Sequence, residues 1–142
     1  DLSRMQVFLT QNGVDVVIGS RYKTGVNVVN WPIQRVLISY FASWYARIIT
    51  GTPIMDLTSG FVGYKAKVLN EILNNGVKFK GYAFQIEMKF KAYNLKYNLY
   101  EIPIIFTDRV KGSSKLNLSI ISEAIFGLIT MKISQIFSKF FR

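Results

Sequence analysis

Three polar residues around the first predicted strand have the types and spacing needed to bind a phosphate group. Arg21 lies two residues after the end of the β-branched segment 14–19, and Arg35 and Ser39 lie four residues apart in the next predicted helix, on one face. A guanidinium group binds two phosphate oxygens at once, and open α/β sheets bind ligands at the carboxyl ends of their strands. The spacing therefore indicates an anion site. The alternative, a solvated helix face with an ordinary salt bridge, is the commoner role of any single arginine.

A second group of cations follows the strand predicted over residues 99–106. Arg109 and Lys115 flank a stretch that contains Gly112, Ser113 and Ser114. Glycine and serine let backbone N–H groups approach an anion closely. An ordinary flexible turn is the alternative, and the spacing alone favours it.

The few carboxylates each have a structural interpretation. Asp56 is typical of a turn or cap residue, Glu87 lies at a helix start where the helix dipole favours a carboxylate, and Glu101 is expected to pair with a neighbouring cation. None of them has the spacing of a metal-ligand set. Judged separately, all three are predicted to be structural.

Composition narrows the chemistry further. The 142-residue chain has no cysteine and no histidine, which excludes a thiolate nucleophile, histidine acid–base catalysis and zinc sites built from those residues. The net charge of +10 predicts an anionic partner: a phosphate ligand, acidic lipid headgroups or nucleic acid. Nucleic acid is the least favoured of these, because the chain lacks a basic helix and an aromatic–basic RNA motif.

The elements that must position these residues alternate between helix and strand. Patterning predicts helices over residues 4–11, 32–51, 65–74, 84–94 and from 117 onward. It predicts strands over residues 14–19 and 99–106, and a short strand that is opened by residues 56–61 and runs through residue 64. Alternating helices and strands are typical of a layered α/β domain. We therefore expect an α/β fold.

The C-terminal helix has two interpretations. Its apolar residues recur at helical spacing, which is typical of core packing, but its few charges also suit an amphipathic helix lying on a membrane surface. No uninterrupted apolar run reaches the roughly 18 residues typical of a membrane span. Core packing and contact with a membrane or a membrane-embedded partner both remain open.

Taken in order, the motifs resemble those of the polyprenol (dolichol) phosphate mannosyltransferases, which belong to the inverting glycosyltransferases with a GT-A fold. The matching strings are DVVIGSRY at 15–22, NW at 30–31 followed by Arg35 and Ser39, DLTSGF at 56–61, GYAFQIE at 81–87, EIPI at 101–104, FTDR at 106–109 and GSSKL at 112–116. Each string is weak evidence alone, whereas the ordered set is specific.

The resemblance implies transfer of a hexose to the phosphate of a polyprenyl or dolichyl phosphate. Mannose, donated by GDP-mannose, is the first choice of hexose. It implies that Arg21, Arg35 and Ser39 bind the acceptor phosphate, that Arg109 and Lys115 contact the donor diphosphate, and that Asp56, Gln85 and Glu87 line the sugar region. An acceptor phosphate is already anionic, so a site without histidine is compatible with this reaction. The implied location is the cytoplasmic face of a membrane, as a peripheral protein.

Two departures from the family pattern shape the expectation. The nucleotide-binding first half with its Asp-x-Asp metal motif is missing, and residues 23–26 (KTGV) replace the usual paired glycines. We therefore expect the acceptor-side part of a GT-A-like α/β/α domain over residues 1–116 and an amphipathic helix over 117–142. Mg²⁺ or Mn²⁺ would be bound by ligands outside this chain, which is expected to be inactive alone. The alternative function is a non-enzymatic, basic membrane-surface module.

Overall fold

A computed structural model describes residues 1–107 and 118–141 of the chain. Its elements are α1 (Leu2–Thr10), β1 (Val16–Ser20), β2 (Val28–Val29), α2 (Ile33–Thr50), β3 (Val62–Tyr64), α3 (Ala66–Asn74), α4 (Gly81–Asn94), β4 (Leu99–Pro103), β5 (Phe106–Thr107) and α5 (Leu118–Phe140). Helices and strands alternate, so the predicted α/β class is confirmed.

The central sheet has the order β3-β1-β4, with β1 antiparallel to β3 and parallel to β4. Every residue of β1 is buried, because helices cover both faces of the sheet. Val17 packs towards α1 in one apolar cluster, whereas Val16 and Ile18 pack towards the helices on the other face. A strand buried on both faces is expected to be rich in β-branched residues. The prediction over residues 14–19 therefore located the strand, although it begins at Val16 and ends at Ser20.

Helix α2 was predicted closely because its end signals are local. Pro32 precedes its first turn, and Gly51 follows its last residue with a φ of 70°. Only glycine adopts this left-handed conformation without a steric penalty, so Gly51 ends the helix.

Two element predictions need correction. The helix predicted over residues 84–94 begins earlier, at Gly81, and Glu87 accepts hydrogen bonds from backbone N–H groups just before it. The single strand predicted over 99–106 is two strands, because β4 ends at Pro103 and β5 pairs instead with β2. Strand β2 was not predicted, since its two residues depend on this long-range pairing.

Helix α5 packs against α2 and α4 through few of its residues, with Leu128 and Met131 buried. By length and composition alone, its segment Ser119–Phe140 is apolar enough to cross a membrane, and only 17% of its most apolar window is buried. The uninterrupted apolar runs of this helix are short because polar residues are dispersed along it, although its mean hydropathy stays high. Core packing and contact with a membrane or a membrane-embedded partner both stay open. The division at residues 116 and 117 stays a prediction.

Candidate functional site

The three residues predicted to bind phosphate line one cavity. Arg21 follows β1, whereas Arg35 and Ser39 project from one face of α2 into the same space of about 430 Å³. Trp31, just before α2, also lines it. The convergence follows from the chain path, because α2 begins near the carboxyl end of β1.

Arg21 is held in this cavity by a buried two-point ion pair. Its Nε and Nη2 atoms donate to the two carboxylate oxygens of Asp56, each at 2.7 Å, and its backbone N–H donates to the same carboxylate at 3.0 Å. Nη2 also donates to the Thr58 hydroxyl at 2.9 Å. Burial opposes the charged form of Arg21, but the hydrogen bond and charge of Asp56 outweigh it and raise the arginine's pKa. The guanidinium orientation is therefore fixed in advance.

Both arginines contact the indole ring of Trp31. The Arg35 Cζ atom lies 4.1 Å from the ring centroid and the Arg21 Cζ atom lies 5.4 Å from it. Such cation–π contacts stabilise a guanidinium next to another cation. The buried indole Nε1 of Trp31 has no hydrogen-bond partner among the described residues.

Ser39 is oriented by Tyr22. The Tyr22 hydroxyl donates to the Ser39 Oγ at 2.7 Å, and burial raises the pKa of Tyr22, which keeps the phenol protonated. Because Ser39 accepts this bond, its own hydroxyl proton can be donated elsewhere. The cavity therefore presents a hydroxyl donor beside the cations.

Most of the remaining cavity wall is apolar. Its apolar side chains come mainly from the facing surfaces of α2 and α5, while Thr58 from the turn before β3 and Tyr82 and Ile86 from α4 also line it. A site with guanidinium groups at one end and aliphatic walls along the rest suits a ligand that is itself an anion joined to a hydrocarbon.

Comparison with known proteins identifies relatives of this chain. No protein-family model matches it. It is 43% identical over 114 residues to the polyprenol monophosphomannose synthase of Mycolicibacterium smegmatis. The aligned residues make up 80% of the chain and 43% of that protein. It is also 40% identical over 111 residues to the undecaprenyl-phosphate mannosyltransferase of Micrococcus luteus. There the aligned residues make up 78% of the chain and 46% of that protein.

The chain is homologous to one segment of the polyprenyl-phosphate mannosyltransferases. The resemblance inferred from the ordered motifs is thereby confirmed. The chain spans less than half the length of either curated relative.

In this mannosyltransferase-like segment, Asp56 lies behind the cavity rather than in it. Asp56 is fully buried, and its carboxylate bonds to Arg21 and is within 3.2 Å of the Thr58 hydroxyl. Glu101, expected to pair with a cation, instead accepts from the backbone N–H groups of Met55 and Asp56 at 3.0 Å. Unpaired backbone donors at a turn attract a carboxylate as a cation would. That Asp56 contacts the sugar stays a prediction.

Gln85 and Glu87 do not line this cavity. Glu87 is buried, accepts from the backbone N–H groups of Lys78 and Phe79 and pairs with Lys91 at 3.1 Å, so its observed contacts hold the start of α4. Their roles in binding sugar stay predictions. Arg109 and Lys115 lie outside the described residues.

Sequence reasoning missed Lys89, which is fully buried on α4 behind the Asp56 turn. The available signal was its place between Met88 and Phe90, in a helix that also buries Ala83 and Ile86. Within residues 1–107 and 118–141, no group of three potential metal-ligating side chains is close enough to hold a metal ion. The need for Mg²⁺ or Mn²⁺ stays a prediction.

Proposed function

We propose that this chain forms the acceptor-side part of an enzyme that transfers a hexose, mannose before others, from a nucleotide sugar to the phosphate of a polyprenyl or dolichyl phosphate. The observation that carries the proposal is the cavity in which Arg21, Arg35 and Ser39 lie at the end of an apolar cleft between α2 and α5. The names of the two relatives support the same acceptor and the same sugar.

In this proposal the phosphate occupies the cationic end of the cavity and the isoprenoid follows the apolar wall. Arg35 and Ser39 contact phosphate oxygens, while Arg21 supplies a cation whose direction is fixed by Asp56. A guanidinium held in place before the ligand binds loses little conformational freedom on binding.

The chemistry requires positioning more than proton transfer. A phosphate oxygen forms the new bond to the anomeric carbon of the sugar as the bond to the departing nucleoside diphosphate breaks. Because the attacking oxygen is already anionic, no base has to remove a proton, and a chain without histidine can supply the acceptor side. Arg109 and Lys115 are proposed to neutralise the donor diphosphate. A divalent cation would stabilise charge on that diphosphate, but the described residues offer it no cluster, so no step is assigned to it.

The sheet with helices on both faces supports a GT-A-like arrangement of which this chain supplies part. Helices α2 and α5 expose apolar side chains, including Phe41, Trp44, Phe126 and Phe137. Together with the positive net charge, these side chains support peripheral association with the cytoplasmic face of a membrane, where a long-chain acceptor would be reached without leaving the bilayer.

The proposal is tested with the full-length protein that carries this chain, incubated with radiolabelled GDP-mannose, polyprenyl phosphate and Mg²⁺ or Mn²⁺. Label is expected in the lipid fraction only when the acceptor carries its phosphate. Arg35→Ala should lower this transfer by about a hundredfold, in line with the loss of a charge-assisted contact to phosphate.

Arg4→Ala serves as the matched control, because Arg4 is exposed on α1 and pairs only with Asp1 and the Pro103 carbonyl among the described residues. Transfer that survives Arg35→Ala unchanged would contradict the acceptor site. Binding to anionic vesicles without any transfer, and without dependence on polyprenyl phosphate, would favour the non-enzymatic membrane module instead.

A further inference from the structure

Lys89 is a buried cation for which the proposed reaction has no direct use. Its side chain on α4 is fully buried, yet it does not line the acceptor cavity. Its Nζ atom donates to the carbonyl oxygens of Leu57 at 2.9 Å, Ser59 at 2.7 Å and Gln85 at 3.0 Å. An ammonium group has three donors, so these carbonyls satisfy all of them.

The charged groups around Lys89 belong to the same part of the molecule. Asp56 and Glu101 act electrostatically to stabilise its charged form, while Arg21 and burial oppose it. Burial, the largest of these effects, lowers the pKa of Lys89 to about 7. The three carbonyl contacts nevertheless match the ammonium form.

The carbonyls that Lys89 holds belong to the turn that carries the Arg21 partners. Asp56 and Thr58 both accept hydrogen bonds from the Arg21 guanidinium. Leu57 and Ser59, the residues next to them in the chain, bond through their carbonyls to Lys89. Fixing Leu57 and Ser59 against α4 therefore fixes the two acceptors that orient Arg21.

We propose that Lys89 is a positioning residue for the acceptor-phosphate site: it ties the turn at residues 56–59 to α4, so that Asp56 and Thr58 hold Arg21 in the direction of the phosphate. This inference rests on the proposed function and adds to it a residue on the far side of the turn. Lys89 does not line the cavity, so its effect on the acceptor site passes through the turn, by way of Arg21 and of Thr58, which both line the cavity.

The test uses Lys89→Met in the full-length protein, because methionine fills similar volume without donors. The KM for polyprenyl phosphate is expected to rise by about tenfold or more, while the KM for the nucleotide sugar and kcat change by less than about threefold. Amide hydrogen exchange at residues 57–61 should become faster than in the unmodified protein. Lys78→Met is the control, since Lys78 is exposed and should leave both KM values within about twofold.

A second variant, Lys89→Gln, retains donors for part of the carbonyl set and should raise the acceptor KM less than Lys89→Met does. Unchanged exchange at residues 57–61 would overturn the proposal, and so would equal losses in the two KM values. Failure of both variants to fold would also overturn it, by assigning Lys89 to general stability. A failure of the proposed function can be told apart from a failure of this inference. In that case the unmodified protein transfers no sugar, yet Lys89→Met still makes amide hydrogen exchange at residues 57–61 faster.

Discussion

The guanidinium of Arg21 and the carboxylate of Asp56 form a parallel, two-point ion pair with both N···O distances at 2.7 Å, and Asp56 is fully buried. An ion pair removed from water is stabilising only while both partners are present, because each charge alone would remain buried without compensation. The pair therefore makes the orientation of Arg21 depend on a residue that does not line the cavity.

Loss of the Asp56 charge should destabilise the fold. We expect Asp56→Asn to lower the free energy of unfolding by about 3–5 kcal/mol, since Arg21 would stay buried without its counter-charge. Chemical denaturation measures this. Asp1→Asn is the control, because Asp1 forms the exposed pair with Arg4 and its loss should cost less than about 1 kcal/mol.

Replacing both partners separates stability from binding. The double variant Arg21→Met with Asp56→Leu removes both charges, and apolar replacement of a buried pair is often neutral for stability. It should therefore recover most of the stability that Asp56→Asn loses, yet bind polyprenyl phosphate poorly. A double variant that binds this lipid normally would show that Arg21 has no role in the acceptor site.

The contact of Arg35 with Trp31 gives a third prediction. A cation–π contact is worth about 0.5–2 kcal/mol, so Trp31→Leu should weaken binding of polyprenyl phosphate by about 2–30-fold, measured by equilibrium binding in detergent. Trp31→Phe, which keeps an aromatic face, should have a smaller effect.

Trp44→Leu is the matched control for Trp31, because Trp44 lies on α2 outside the cavity and is 53% exposed. Its replacement should leave the binding of polyprenyl phosphate, measured in detergent, unchanged. Equal losses in Trp31→Leu and Trp44→Leu would attribute the effect to general apolar contact rather than to the arginines.

Sequence predicted those parts of the fold and site that depend on local signals. The β-branched run of β1, and Pro32 and Gly51 at the two ends of α2, were sufficient to place these elements. The convergence of Arg21 and Arg35 followed from the rule that ligands bind where the strands of an α/β sheet end. The cavity brings those residues together as predicted, while their binding roles stay predictions.

The parts that sequence could not predict depend on long-range pairing. The apolar neighbours of Lys89 in sequence hint that it is buried, but they do not identify its partners, because the carbonyl groups of Leu57 and Ser59 are about thirty residues earlier in the chain. The hydrogen bonds that Glu101 accepts from the backbone N–H groups of Met55 and Asp56 also join parts of the chain that are far apart in sequence. Charged side chains are seldom fully buried unless they are paired. Because the partners of these two residues are distant in sequence, their burial is known only from the tertiary structure.

The exposed apolar face of α5 predicts membrane association. Phe126 is 69% exposed and Phe137 is 59% exposed, and their separation of 11 residues places them on the same side of the helix. Changing both to Glu should lower the fraction of protein that sediments with anionic vesicles by about tenfold, because charge in the acyl region is costly.

Val7→Glu is the control for this experiment, because Val7 is 59% exposed on α1, across the sheet from α5. Its replacement should leave sedimentation unchanged. If the α5 variant sediments like the unmodified protein, the apolar face of α5 is instead covered by protein.

The depressed pKa of Lys89 predicts how stability changes with pH. Between its folded value of about 7 and its ordinary value of 10.5, the unfolded chain binds more protons than the folded one, so the free energy of unfolding should rise with pH across this window and be lowest below it. The chain has no histidine or cysteine to titrate there, and burial raises the pKa of Tyr64 and Tyr22. Denaturation of the unmodified protein and of Lys89→Met, compared from about pH 7 to about pH 9, isolates the effect. The difference between the two should change steadily with pH, whereas a constant difference would show that Lys89 keeps the same charge in the folded and unfolded states.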